Sequence, residues 1–171
     1  MALKKFFLNL RNKKLGSAPE IERHSTSADK TESYGILFTT EDDAKYSTIR
    51  RFSEIISGDG KSVAILEFTP KINPKKEPSG FPSFSGQDIS LLGMIRNNQA
   101  EEFMKQKFDY LFLADKTAHP AILNVLLNSH AKCRVGFKSQ ECLPFLDLMV
   151  SMPGTLDQLL DEMLNYTLKL S

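Results

Sequence analysis

The chain has 171 residues, 41 % of them apolar and 25 % charged, with a formal net charge of +1. That length suits one ordinary domain with a substantial core, and the balanced charge gives no whole-protein field that would select nucleic acid or an acidic substrate. Its two cysteines and three histidines lack CxxC, HxH, HxxH and HExxH spacing, which excludes a disulfide scaffold and leaves neither metal nor cofactor to expect.

In chain order, the spacing of Leu3, Phe6, Phe7 and Leu10 predicts an amphipathic helix over residues 1–16, surrounded by Lys4, Lys5, Arg11, Lys13 and Lys14 and stopped at Gly16. Residues 17–33, His24 among them, carry almost nothing to bury and read as a flexible linker. Gly35 to Phe38 is a short apolar run that suits a buried strand. Thr40, followed by Glu41, Asp42 and Asp43, reads as a cap with acids in the first turn of a helix striped by Tyr46, Ile49, Phe52, Ile55 and Ile56. "GDG" ends it, and "KSVAILEF" is a second strand, so the crossover implies parallel pairing.

Residues 70–88 are dense in proline and predict a long irregular loop. "ISLLGMI" reads either as a short strand or as a packed bend, and Ala100, Phe103 and Met104 mark a helix near 97–107. Asp109 to Ala114 is a third strand. Pro120 opens a helix over 120–131 with Ile122, Leu123, Leu126 and Leu127 inward and His130 in its last turn, against the helix dipole. "KCRVGF" and "FLDLMVSM" supply two more strands, with Cys133 in the core and Cys142 partly exposed beyond it. Thr155 and Gln158 have capping-box spacing before a terminal helix striped by Leu156, Leu159, Leu160, Met163 and Leu164.

This alternation argues for an α/β fold: a Rossmann-like three-layer sandwich with a mostly parallel sheet of about five strands, occupying 34–171 as a single domain. Such sheets bind ligands beyond the carboxyl ends of their strands, which makes Thr39, Thr40, Asp115, Lys116, Thr117, His119 and Ser151 the candidate ligand-binding residues. Asp115 and His119 suit an acid/base pair and Lys116 an anion contact, although a strand end, polar caps and Pro120 account for the same turn. The first strand-to-helix turn, "TTEDDAKY", has no glycine and three acids, and no GxxxxGK is present, so a dinucleotide or P-loop site is not expected.

The basic helix, through Lys4, Lys5, Phe6, Phe7, Leu10, Arg11, Lys13 and Lys14, suits a protein partner or an anionic membrane surface, with RNA phosphate as a further option. No apolar run reaches the roughly 18–20 residues that cross a bilayer, and the N-terminus lacks a signal-peptide pattern. The location expected is cytoplasmic, peripheral to the membrane's inner face if the helix lies there. The leading functional reading is a small binding or adaptor protein. The alternative is a ligand-binding protein or glycosyltransferase-like enzyme, taking a nucleotide or sugar-phosphate at the strand ends.

In order, "YGILFTTEDDAKYSTIRRF", "KSVAILEF", "FDYLFLADKT", "SHAKCRVGF" and "FLDLMVS" resemble an uncharacterised family of short bacterial α/β proteins, a likeness that implies no catalytic residues. Residues 108–137 also look like one strand-helix-strand unit in the N-terminal domain of lipopolysaccharide heptosyltransferases, a likeness that implies the same local topology.

Overall fold

A computed structural model describes residues 2–16, 23–40, 42–70, 79–151 and 154–170. Six strands, β1 (Ser33–Thr39), β2 (Ser62–Thr69), β3 (Ser83–Ser85), β4 (Tyr110–Leu113), β5 (Cys133–Phe137) and β6 (Leu148–Val150), form one parallel sheet. Their order is β3-β2-β1-β4-β5-β6, which makes the seam between β1 and β4 the point where the chain reverses its direction of winding. Among the described residues five helices accompany the sheet: α1 (Ala2–Gly16), α2 (Asp43–Gly58), α3 (Asn98–Lys105), α4 (Pro120–Asn128) and α5 (Leu156–Lys169).

Side chains alternate across the pleat and sort into two cores. Tyr34, Ile36, Phe38, Tyr110 and Phe112 face Ile49 and Phe52 of α2 and Leu160 and Met163 of α5. Leu37, Leu111 and Leu113 face Ala100 and Phe103 of α3 and Ile122 and Leu126 of α4. Because both faces are covered, the central strands read as near-continuous apolar runs, and each fully buried large side chain contributes about 1.5–3 kcal/mol. The expected parallel sheet of about five strands is present, with six strands among the described residues. The additional β3 lies inside the segment expected to be irregular, pairs with β2 from Glu67 to Thr69, and packs Phe84 on Phe68 with ring centroids 4.8 Å apart.

Several local expectations change. The N-cap of α2 is Asp42, which accepts from Lys45 N at 2.8 Å, while Thr40 turns aside to Glu67. "ISLLGMI" is a bend closed by one antiparallel bridge between Ile89 and Ile95. Helix α4 stops at Asn128, because Ser129 leaves the helical conformation, and this puts His130 beyond the last turn. A basic group still meets that carboxyl end from elsewhere: buried Arg134 of β5 donates to Leu127 O at 3.1 Å. Cys142 is buried like Cys133. The capping box of α5, Thr155 with Gln158, is present as the spacing predicts.

Part of the expected linker, residues 17–22, lies outside the described residues. Residues 23–32 pack on the domain, with Thr26 and Thr31 buried, a short 3-10 turn at Ala28–Lys30, and the Tyr110 hydroxyl donating to Thr26 O at 2.5 Å. Their contribution is mainly backbone carbonyls, which an apolar pattern does not register.

Helix α1 packs on α4 by a face other than the one its apolar spacing suggests. Leu8 and Asn12 are buried, whereas Leu3, Phe6 and Leu10 are exposed. Asn12 Nδ2 donates to Pro120 O at 2.9 Å, and Asn124 Nδ2 donates to Asn12 Oδ1 at 2.8 Å. An amide pair thus fixes the docking, and a buried amide is invisible to a search for apolar periodicity. The turn at 90–94 abuts the other flank. A Cβ on Gly93 would stand 2.9 Å from Leu8 N, and Gly93 has φ +73°, so both space and backbone conformation call for glycine.

Candidate functional site

Strand β4 carries an aspartate at each end, and both do the same mechanical job. At its amino end, Asp109 accepts from Glu32 N at 2.9 Å, Ser33 N at 3.0 Å and Lys132 Nζ at 2.7 Å. At its carboxyl end, Asp115 accepts from Thr39 N at 3.1 Å, Thr39 Oγ1 at 2.6 Å and Lys45 Nζ at 2.7 Å. Each carboxylate bonds a β1 residue at its own end of the seam and neutralises one lysine. The upper pair is the drier, with Lys45 and Asp115 side chains 6 % and 2 % exposed against 42 % for Lys132. Asp115 is therefore engaged on every side by β1 and α2 and does not line the open space above it.

That space is a crevice of about 1130 Å³ between α1 and the carboxyl ends of the strands. It is somewhat larger than the roughly 300–1,000 Å³ usual for small-molecule pockets. Thr39, Thr117, Ala118, His119 and Pro120 supply its sheet side, Glu141, Pro144 and Phe145 the side after β5, and α1 the third wall with Lys5, Phe6, Asn9, Leu10, Asn12 and Lys13. Thr39, Thr117 and His119 are thus brought together there. Thr40 is drawn away toward Glu67, Lys116 Nζ donates to Gly154 O, and Ser151 is exposed beyond β6.

His119 is held in one state. Its ring packs on Phe68 with centroids 4.7 Å apart, and its Nδ1 accepts from Ala121 N at 3.2 Å as the N-cap of α4. Burial first, then Lys5, hold its pKa below the usual histidine value, while Asp115 pulls weakly the other way. A neutral ring whose Nδ1 is an acceptor carries its proton on Nε2, so a hydrogen-bond donor remains. Together with the Lys5 ammonium and Asn9 amide of α1, the Thr117 hydroxyl and the positive end of α4, this gives the crevice donors and positive charge, with the Glu141 carboxylate on the side after β5. Phe6, Leu10, Leu123 and Phe145 supply apolar surface.

A second polar cluster lies at the end of β2. Glu67, buried, accepts hydroxyl hydrogens from Thr40, Tyr46 and Ser79, and Thr40 and Thr69 are 2.9 Å apart. Burial first and Glu67 next push the Tyr46 hydroxyl up to about 12. Hydroxyls saturate this carboxylate, which marks it as an internal network. No group of three or more histidine, cysteine or acidic residues among the described residues has the arrangement to hold a metal ion.

Sequence reasoning missed Asn9, Asn12, Glu141, Pro144 and Phe145, which reach the crevice only through tertiary docking. The signal for two of them was available: asparagines on a helix whose other polar residues are basic.

Sheet order, two-sided helical cover and a crevice at the winding reversal define a Rossmann-like α/β protein with a helical third wall over its strand ends. The chain belongs to the Family of unknown function (DUF6913), whose model matches residues 4–170 and so takes in α1 from Lys4 onward. No curated protein and no solved structure matches it.

Proposed function

We propose that the protein binds a small anionic, part-apolar metabolite in the crevice between α1 and the strand ends. The observation that carries this reading is the convergence of Lys5 from α1 with Thr117 and neutral His119 from the sheet side on a crevice also lined by Phe6, Leu10, Leu123 and Phe145. A phosphate or carboxylate fits that donor set, and the size leaves room for a nucleoside or sugar beyond it. The missing glycine turn does not weigh against it, because the donors come from α1 and the α4 start rather than from a phosphate loop. The engaged state of Asp115 argues for non-covalent binding over acid/base catalysis by an Asp115–His119 pair.

A thermal-shift screen with nucleotides, sugar-phosphates and carboxylates tests it. A hit should raise the melting temperature of the full chain and lose most of its effect in Lys5→Gln. By NMR, the His119 pKa should rise when the ligand binds, because an anion between Lys5 and the ring favours the imidazolium. Absence of any hit across the panel, or a hit indifferent to Lys5→Gln, would sink the reading.

A further inference from the structure

The geometry points to a lipid-docking face: the outer crest of α1, with the 90–94 turn beside it, seats on an anionic phospholipid surface. Leu8 and Asn12 fix which side of α1 faces inward. At 100° per residue, Leu3, Phe6 and Leu10 fall within about 60° of arc on the opposite side. They are 56 %, 60 % and 55 % exposed, and Leu91 and Leu92 on the adjoining turn are 64 % and 61 % exposed. The contact of Gly93 with the α1 backbone at Phe7 and Leu8 places that turn against the helix on the side of Lys4 and Arg11, so Leu91 and Leu92 add apolar surface beside the crest across a basic strip.

Charge complementarity selects the occupant. Helix α1 carries Lys4, Lys5, Arg11, Lys13 and Lys14 and no acidic residue. Lys13 and Lys14 fall on the two flanks of the apolar crest, where long side chains reach headgroup phosphates while the crest enters the acyl boundary. Nucleic acid would meet the cations but leave the leucines and Phe6 in water. A protein partner would have to offer a matching groove to a convex ridge, whereas a bilayer interface deforms around one. Phe6 and Leu10 stand where the crest meets the crevice mouth, whereas Leu3 and Leu92 do not line the crevice, so substitutions at these two separate lipid docking from crevice binding.

Sedimentation of the full chain with vesicles of phosphatidylglycerol and phosphatidylcholine in equal parts, against phosphatidylcholine alone, tests the inference. The chain should partition to the anionic vesicles. Leu3→Glu with Leu92→Glu should lower that partition roughly 100-fold, since each exposed leucine that leaves the acyl boundary is worth roughly tenfold. Circular dichroism should stay unchanged, and any thermal shift from a crevice ligand should persist. The chain has no tryptophan, so Leu92→Trp is a single reporter whose emission should move to shorter wavelength with anionic vesicles. Binding unchanged in the double variant would mean adsorption by charge alone and would overturn the inference. So would indifference to both vesicle types, whether or not the chain retains RNA or an acidic protein.

Discussion

Replacing Lys45 by methionine removes the ammonium from the upper clamp while keeping most of the side chain's apolar length. Breaking a buried ion pair by deleting one partner costs about 3–5 kcal/mol, because the remaining charge stays desolvated and unneutralised. Thr39 N–H and Oγ1 still donate to Asp115 after the change, so the lower end, about 3 kcal/mol, is expected. For a chain of this length that corresponds to a fall in melting temperature of about 6–12 °C. The lower clamp is an internal control. Lys132 is 42 % exposed, so its ion pair with Asp109 is screened by solvent and Lys132→Met should cost only about 0–1 kcal/mol. Urea unfolding followed by circular dichroism measures both. Adding Asp115→Asn to Lys45→Met should recover part of the loss, since the amide oxygen still accepts from Thr39 and no buried charge remains. Equal losses for the two lysines, or simple additivity in the double variant, would refute the assignment of Asp115 as a buried clamp.

Three further outcomes follow from the same structure. Gly93→Ala introduces a Cβ against the α1 backbone at a positive φ, and should cost about 1–3 kcal/mol and expose the amides of Leu8 to Asn12 to hydrogen exchange, whereas Gly80→Ala, with positive φ but open space, should cost less and leave α1 protected. Burial opposes ionisation of Asp109, but Lys132 and the Glu32 and Ser33 N–H groups outweigh it and hold its pKa below the ordinary 3.8. A depressed carboxyl contributes stability above its unfolded pKa and loses it as pH falls through the folded value, so the wild-type chain should lose stability below about pH 4 more steeply than Asp109→Asn, as read by urea midpoints. Burial pushes the Cys133 thiol up to about 12 and raises that of Cys142, so neither should react with iodoacetamide in the native chain at mildly alkaline pH, while both should react once it is unfolded.

How much of this was legible in the sequence depended on what each element buries. Strands such as Gly35–Phe38 and Tyr110–Leu113 carry their own apolar runs, and α5 announces its start through Thr155 and Gln158. The three-residue β3 has no period to detect and exists because β2 offers an open edge and Phe68 a partner for Phe84. In α1 the apolar spacing was real, but the docked side is set by Leu8 and an amide pair, so periodicity pointed to the crest rather than the contact. The residues flanking β4 looked like chemistry at "LADKTAH". The repeated aspartate in "FDYLFLAD" was the available hint that one of them serves the sheet, since Asp109 does at the amino end what Asp115 does at the carboxyl end. His119 reaches the crevice because Pro120 starts α4 immediately after it, which the sequence did convey.

The amide pair that seats α1 has an evolutionary consequence. Lys5 and Asn9 project from a helix fastened through Leu8 and Asn12, on different positions of its surface. Substitutions at the former can therefore drift without disturbing the latter, and none of them touches the aspartate clamps that hold β1 to β4. One wall can diversify its chemistry while the opposite wall remains under the constraint of folding, so an unchanged sheet is compatible with a crevice of altered charge and polarity after the exchange of a handful of residues on one helix.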